Sequence, residues 1–320
     1  MESSFTDSAS SEFVISHPLD PEDAVITARI RAAAGATKGK PWGIAARVAF
    51  DAMMESILPR DDVAFEHDSI GGVNGMWVHP ADCRSDEAIL HLHGGWFNFG
   101  SADAFRHFVA HIAARTGVSA FIPDYRLAPE DPFPAAIHDV LDCYEGLDRR
   151  AIRRIAVTGD SAGGNLALVL ASQVVSGAGS SRAKLAAVAA FSPVTDLTLS
   201  GATYETRAQA EPFFTRAQVS ELVRAYLGST EPAHPLASPL YGRMSGLPPL
   251  SIHVGDEEVL LDDSRRYVER AVATGVDARL DVWMGMPHGF AGGIGELKAA
   301  SQAMDAVGTF LTGRLQAEAH

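Results

Sequence analysis

Hydrophobic positions along the chain repeat with two different periods. Residues 21–34 and 43–58 carry apolar side chains at spacings of three and four, which is typical of amphipathic helices. Two short runs rich in β-forming residues come next, Val63–Ser69 and Val73–His79, and a pair of glycines separates them. The pattern predicts a helical N-terminal segment followed by an antiparallel hairpin.

Beyond the hairpin, strand-like runs alternate with helical runs. In chain order the predicted elements are strand Ala88–His93, helix Ala102–Thr116, strand Ser119–Ile122, helix Pro134–Leu147, strand Arg154–Thr158, helix Ala162–Ser176, strand Leu185–Phe191, strand Leu250–Val254, helix 263–273, strand Ala278–Trp283 and helix Leu297–Leu315. Such alternation predicts the α/β class, with a mostly parallel central sheet and helices on both faces.

The alternation pauses between Ser192 and Pro249. This stretch has no β-type run, but it contains one amphipathic helix, Arg216–Leu227, with prolines on both sides. We interpret residues 196–245, approximately, as an inserted helical cap that lies over the strand ends together with the N-terminal cap segment 1–60. The rest of the chain, 61–320, is then one α/β domain that carries the insertion.

Composition and charge narrow the range of partners. Apolar residues make up 47% of the chain and charged residues 21%, which is typical of a globular protein. A net charge of -14 disfavours binding to nucleic acid or to anionic membranes. Residues 1–11 lack the features of a signal peptide, and no apolar run is long enough to insert into a membrane. We therefore expect a cytoplasmic protein, and a homodimer is compatible with the sequence.

The strand Arg154–Thr158 leads directly into Gly159-Asp160-Ser161-Ala162-Gly163-Gly164 and then into a helix. Small residues around a serine at a sharp strand-to-helix turn form a nucleophile elbow, which exposes the hydroxyl at the carboxyl edge of the sheet. The helix N-terminus behind it offers backbone amides to a developing oxyanion. Ser161 is the predicted nucleophile and the Ala162 amide a predicted oxyanion donor, with a plain glycine-rich turn as the alternative.

Three further motifs accompany the elbow: His-Gly-Gly-Trp-Phe at residues 93–97, Asp-Tyr-Arg-Leu-Ala-Pro-Glu at 124–130, and His-Gly-Phe at 288–290. With these four ordered motifs the chain resembles the bacterial hormone-sensitive-lipase-like esterases, in the subgroup with Gly-Asp-Ser-Ala-Gly at the nucleophile. The resemblance extends from about residue 63 onward. It implies an α/β-hydrolase with a helical cap that hydrolyses carboxylic esters.

The resemblance also implies an oxyanion hole. In that family a His-Gly-Gly-Gly loop supplies backbone amides, and here the corresponding candidates are Gly94, Gly95 and Trp96, together with Ala162. Trp96 stands where the third glycine is expected. Because the donors are backbone amides, the substitution need not remove one, but a bulky indole is expected to alter the loop angle or to narrow the acyl pocket.

The catalytic histidine should follow the acid, which in turn follows the serine. His253, His288 and His320 lie in the required part of the chain. His253 falls within a predicted strand and His320 is the last residue, whereas His288 lies in a turn after the last strand. His288 is therefore the predicted general base.

The acid has more than one candidate, because Asp256, Glu257 and Glu258 are consecutive after the strand that ends near Val254. The family pattern Asp-x-Leu-x-Asp matches residues 258–262 without a gap, with glutamate in the first place. The resemblance thus implies Glu258 as the triad acid, and Asp256 remains the alternative.

No cofactor site is predicted. His107 and His111 are four residues apart on a predicted helix, but no third metal ligand accompanies them, so we interpret both as surface histidines. No glycine-rich phosphate-binding motif follows a strand. The prediction is a carboxylesterase for short to medium acyl esters that works through an acyl-enzyme without metal or organic cofactor. The alternatives are a lactone hydrolase with the same residues and, from another class, a non-catalytic ligand-binding protein.

Overall fold

The computed structural model describes residues 12–177 and 181–317, so the polar stretch 1–11 and His320 lie outside the described residues. Within these ranges the strands are β1 (Val14–His17), β2 (Val63–Ile70), β3 (Val73–Pro80), β4 (Glu87–Leu92), β5 (Ala120–Pro123), β6 (Arg154–Asp160), β7 (Lys184–Phe191), β8 (Leu250–Gly255) and β9 (Ala278–Trp283). Every strand that the sequence predicts is present, and β1 is an addition.

The helices also follow the predicted periodicity, apart from one short additional helix between β7 and β8. They are α1 (Pro21–Ala34), α2 (Arg47–Glu55), α3 (Ala102–Thr116), α4 (Ala135–Arg149), α5 (Ala162–Val175), α6 (Thr203–Thr206), α7 (Arg216–Leu227), α8 (Leu261–Ala273) and α9 (Lys298–Gln316). The segment predicted as one helix over 43–58 is divided, because a 3-10 turn, Ile44–Ala46, precedes α2.

All nine of these strands form one sheet, in the order β1-β9-β8-β7-β6-β4-β5-β3-β2. Neighbours are parallel except that β3 pairs antiparallel with both β2 and β5, so β3 alone runs against the others. The hairpin β2–β3 turns at Gly71 and Gly72, whose φ angles of 66° and 88° suit a turn that follows the twist of the strands. The mostly parallel sheet confirms the predicted α/β class.

Apolar cores lie on both faces of the sheet. On one face α3 and α9 pack through side chains such as Phe105, Phe108 and Leu311. On the other face α4, α5 and α8 contribute side chains such as Leu166 and Tyr267. A sheet covered on both faces requires strands that are apolar throughout, and β4 and β8 are buried along their whole length. The carboxyl ends of the parallel strands are then left as the edge where loops gather.

Strand β1 is the element that the periodicity did not predict. Its four residues pair in parallel with β9, from Val14 opposite Leu280 to His17 opposite Trp283. The His17 ring stacks on the Trp283 ring at 3.8 Å between centroids, and its Nε2 lies 2.7 Å from a carboxylate oxygen of Asp281. The start of the described chain is thereby attached to the strand that precedes the His288 loop.

Residues 192–249, between β7 and β8, contain α6 and α7 but no strand. Helix α7 has the predicted bounds and begins with a capping box formed by Thr215 and Gln218. This segment contacts the N-terminal one: Lys38 donates to the Ala208 carbonyl oxygen at 2.7 Å, and Gln218 donates to the Lys40 carbonyl oxygen at 2.5 Å. The division of the chain into cap and catalytic parts stays a prediction.

None of the helices in the described ranges combines the length and the apolar character needed to cross a bilayer.

Asp23→Ala is expected to destabilise the fold. Asp23 on α1 is 1% exposed, and its carboxylate accepts the Lys298 and Ala299 amides at 2.8 and 2.9 Å, so it caps helix α9 from outside. Two charge-assisted bonds to otherwise unpaired first-turn amides predict a loss of about 2 kcal/mol in the free energy of unfolding. Urea denaturation measures it. The control, Glu22→Ala on the same helix, removes only an exposed ion pair with Lys298 and should cost about 0.5 kcal/mol or less.

Candidate active site

The turn between β6 and α5 places Ser161 at the carboxyl edge of the sheet. Its φ of 53° and ψ of -116° lie in a region that non-glycine residues rarely occupy. Neighbouring positions must be small, because a Cβ at Gly159 would overlap the Gly163 carbonyl and a Cβ at Gly163 would overlap the Leu92 carbonyl. The local sequence is therefore suited to a strained turn that displays one hydroxyl.

Ser161, His288 and Glu258 form one hydrogen-bonded chain. The Ser161 Oγ lies 3.1 Å from His288 Nε2, and His288 Nδ1 lies 2.8 Å from Glu258 Oε2. An ionised carboxylate only accepts, so the Nδ1–H donates to Glu258 and leaves Nε2 free to accept the serine hydroxyl. The structure thus brings together the three side chains that the sequence nominated, although they lie far apart along the chain.

Glu258 is held by two further donors. Its Oε1 accepts the Ser192 hydroxyl at 2.6 Å and the Gly255 amide at 2.7 Å, and the side chain is fully buried. Ser192 follows β7 directly and has a φ of 46°. The sequence reasoning missed Ser192, and its position at the end of a strand next to the elbow strand is the signal that identifies it. With both oxygens bonded, the carboxylate has one orientation toward the imidazole.

The surrounding charges favour the protonated form of the His288 imidazole. Burial lowers the pKa of His288, but the charge and the hydrogen bond of Glu258 raise it, and the charges of Glu211 and Asp160 raise it further. The net result is a pKa above the ordinary value for histidine. An imidazole in this setting can take a proton from Ser161 and hold it as a stabilised cation.

The other two acidic candidates point elsewhere. The Asp256 carboxylate accepts the Gly285 amide, so it joins the loop after β8 to the loop that carries His288. Glu257 forms an ion pair with Arg31 of α1. Of the three consecutive acids, Glu258 is the one whose carboxylate contacts the imidazole.

The loop after β4 carries the candidate oxyanion donors. The Gly94 amide is already bonded to Asp160 Oδ1 at 2.9 Å, so it is not free to donate to an oxyanion. Among the described residues, no acceptor is bonded to the amides of Gly95, Trp96 or Ala162. A Cβ at Gly94 would overlap the Asp160 carboxylate, which explains the need for glycine there.

Trp96 keeps the backbone conformation that a glycine would take, with a φ of 51°, and Phe97 follows with a φ of 62°. The Trp96 side chain is 2% exposed, and its ring meets Phe214 edge-on at 5.5 Å between centroids. Phe214 meets the His288 ring in the same way at 5.2 Å. The indole therefore belongs to an aromatic wall beside the reacting groups.

Residues of the motif at 124–130 contact the loop after β4, which carries the oxyanion candidates. Tyr125 donates its hydroxyl to the His93 carbonyl oxygen at 2.7 Å and stacks on the His93 ring. Glu130 accepts both guanidinium nitrogens of Arg47 at 2.8 Å, and Arg47 also donates to the Asn98 carbonyl oxygen at 2.7 Å. A residue of α2 thus braces the loop of the oxyanion candidates.

Among the described residues, no histidine other than His288 is hydrogen-bonded to the Ser161 hydroxyl. His253 is fully buried within β8, where it accepts a bond from the Trp283 indole at 3.2 Å. His111 is 3% exposed and bonded to the Leu58 carbonyl oxygen, so the interpretation of a surface histidine is wrong for this residue, which packs under the N-terminal segment. In the described ranges no group of three or more histidine, cysteine or acidic side chains is placed to hold a metal ion.

Comparisons with known proteins agree with this architecture. A family model described as the alpha/beta hydrolase fold matches residues 89–292. An acetyl-hydrolase of Streptomyces hygroscopicus is 36% identical over 272 residues, which cover 83% of this chain and 88% of that protein. An esterase of Acinetobacter venetianus is 31% identical over 246 residues, covering 76% and 80%.

Solved structures give the same result. An esterase of the bacterial hormone-sensitive lipase family superposes with a TM-score of 0.84 at 35% identity, covering 93% of this chain and all of the other. A hormone-sensitive lipase from a metagenome library gives a TM-score of 0.86 at 30% identity, covering 93% and 99%. The chain therefore belongs to the α/β-hydrolase family and is an esterase of the bacterial hormone-sensitive-lipase-like group.

Proposed function

We propose that the chain is a serine carboxylesterase that hydrolyses short to medium acyl esters through an acyl-enzyme. The observation that carries the proposal is the continuous hydrogen-bonded chain from Glu258 through His288 to the Ser161 hydroxyl. The catalytic roles are assigned to these three residues on that geometry.

In the first step the Ser161 Oγ attacks the ester carbonyl while His288 Nε2 takes its proton. Glu258 stabilises the imidazolium that forms, and the imidazolium then protonates the leaving alcohol as the tetrahedral intermediate collapses to an acyl-serine. In the second step His288 takes a proton from water, the hydroxide attacks the acyl carbon, and the proton returns to the Ser161 oxygen as the acid leaves.

The oxyanion is assigned to the amides of Gly95, Trp96 and Ala162. These three are free to donate, and the Ala162 amide lies at the N-terminal end of α5, where the helix dipole favours negative charge. Gly94 receives a different role from the one expected, since its amide braces the loop against Asp160. Loss of one oxyanion donor typically costs about 3 kcal/mol of transition-state stabilisation, so this bracing bears directly on the rate.

Residues 1–60 and about 196–245 are proposed to act as the cap over this site. Trp42 of the N-terminal segment and Phe214 of the insertion meet at 5.5 Å between ring centroids, and Phe214 contacts both Trp96 and His288. Ser161 itself is only 5% exposed. A closely walled site favours small acyl groups, in agreement with the acetyl-hydrolase among the relatives.

Trp96→Gly is expected to shift the preference toward longer acyl chains, because it removes the indole from the wall beside Phe214. The ratio of kcat/KM for p-nitrophenyl decanoate to that for the acetate should rise by about 10-fold or more, since each methylene that gains a place in an apolar pocket contributes measurably. Trp96→Phe retains most of the bulk and serves as the matched control with a nearly unchanged ratio. An unchanged ratio in Trp96→Gly would remove Trp96 from the acyl pocket.

The proposed function is tested by a substrate profile of the purified protein. Turnover of p-nitrophenyl esters from acetate to decanoate is compared with that of six- and seven-membered lactones, which need the same three residues but a different pocket shape. Preference for the open-chain esters is the expected result, and preference for lactones would replace the substrate assignment. Failure to hydrolyse either class and to label with a fluorophosphonate would favour a ligand-binding protein instead.

A further inference from the structure

We propose that Glu211, in the insertion between β7 and β8, is a positioning residue for Glu258 and His288. It fixes the backbone next to Glu258 and the backbone next to the ring that packs against His288. Its carboxylate also adds a second negative charge that faces the imidazolium. The inference rests on the proposed function. The mechanism above makes no use of this residue, and nothing in the sequence pattern singled it out.

The Glu211 carboxylate is bonded on both sides of the active site. Its Oε2 accepts the amide of Val259, the residue after Glu258, at 3.4 Å. Its Oε1 accepts the amide of Phe213 at 3.0 Å, and the next residue, Phe214, packs its ring against His288. One side chain thus connects the backbone next to the acid with the backbone next to the ring that contacts the base.

The backbone of Glu211 is itself fixed. Its amide donates to the Arg207 carbonyl oxygen at 2.9 Å, and its own carbonyl oxygen accepts the Lys38 ammonium of the N-terminal segment. The side chain is fully buried. Because both the main chain and the carboxylate of Glu211 are bonded, the position of the insertion determines the position of the backbone beside the catalytic residues.

The charge of Glu211 has no bonded cation. Within the described residues no arginine or lysine forms an ion pair with its carboxylate. Burial, with a smaller contribution from the charge of Glu258, raises the pKa of Glu211 to about 7. The charge of His288 acts in the opposite direction and lowers the pKa of Glu211, while Glu211 raises the pKa of His288. The ionised carboxylate and the imidazolium therefore favour each other, as the transition state requires.

Other titratable groups face this pair from the elements packed around it. Glu258 faces it from the loop after β8 and Asp160 from the elbow, and Tyr204 of α6 also interacts with the Glu211 charge. Lys38 contacts Glu211 through the carbonyl oxygen of that residue and not through its carboxylate. Because the charges of Glu258, Glu211 and Asp160 raise the pKa of His288, removing the Glu211 charge is expected to lower that pKa in the pH range near and above 7, where Glu211 is ionised. The neutral base then persists to lower pH, so the acidic limb of kcat/KM moves to lower pH.

The test is the pH profile of p-nitrophenyl acetate hydrolysis by Glu211→Gln. The amide replaces the charge and presents a donor where an acceptor is needed, so we expect kcat to fall by roughly 10- to 100-fold, as for a small displacement of reacting groups. The acidic limb should move to lower pH. Glu205→Gln removes an acid from the same insertion, where it pairs with Arg216 at the surface, and should match the wild type in both respects.

Glu211→Asp separates position from charge. It keeps the negative charge but withdraws it by one methylene, so kcat should fall while the acidic limb stays near that of the wild type. It also keeps the test decisive if Glu211→Gln fails to fold. An unmoved limb in folded Glu211→Gln, or a wild-type kcat in Glu211→Asp, would overturn the inference. Ser161→Ala is assayed alongside as a test of the proposed function itself. If Ser161→Ala is inactive, a negative result with the Glu211 variants contradicts only the role of Glu211. An active Ser161→Ala would contradict the proposed function.

Discussion

Ser161→Ala is expected to lower kcat for p-nitrophenyl acetate by a factor on the order of 10⁶, with an unchanged melting temperature or a slight increase. Removing the nucleophile of a comparable triad has an effect of this size, because the acyl-enzyme route is lost and only the oxyanion donors and binding remain. The φ of 53° at this position is costly for any residue with a side chain, so the alanine retains the strain of the elbow. Steady-state kinetics with circular dichroism measure both quantities.

The matched control is Ser176→Ala at the exposed end of helix α5, which should retain full activity. Labelling by a fluorophosphonate separates the two: the wild type and Ser176→Ala should react, and Ser161→Ala should not. Retention of more than about 1% of the wild-type kcat in Ser161→Ala would assign the nucleophile to another residue, since no triad tolerates its loss so well.

Glu258→Gln should lower kcat by about 10⁴-fold. An amide at this position can present its NH₂ group to His288 Nδ1, which favours the wrong tautomer and leaves Nε2 unable to accept the serine proton. The same change removes the largest influence that raises the pKa of His288, so the acidic limb of kcat/KM should move to lower pH. Kinetics over a pH series give both results from one set of measurements.

Asp256→Asn is the comparison that decides which residue is the acid. Its carboxylate accepts the Gly285 amide and does not contact His288, so the variant should lose only roughly 10-fold through a looser histidine loop. If Asp256→Asn abolished activity while Glu258→Gln retained it, the acid would have to be reassigned to Asp256.

Most elements of the fold could be predicted because their periodicity is local. Helix α3 has the predicted bounds, since Ser101 caps its first turn and Gly117 ends it in a left-handed conformation. Strand β1 could not be predicted in this way. It is four residues long, contains Ser16 and His17, and acquires its identity from pairing with β9, which lies more than 200 residues away in the chain.

The residues of the candidate site also differ in whether a local sequence signal predicts them. Ser161 and His288 follow from short motifs, because a sharp turn or a loop after a strand leaves a mark in neighbouring residues. The preference for Glu258 over Asp256 rests on the resemblance, because three consecutive acids do not themselves encode which side chain points to the histidine. Ser192 and Glu211 contribute through contacts with segments distant in the chain. The end of a strand marks the position of Ser192, whereas no pattern in the sequence points to Glu211.

The bond between the Gly94 amide and the Asp160 carboxylate joins the loop of the oxyanion candidates to the elbow. Dipoles that are aligned during folding need no realignment in each catalytic cycle, so the work of orienting them is done once, when the chain folds. The two segments also have to move as one body. Substrate therefore meets Ser161, which is 5% exposed, beside backbone amides whose positions are already set.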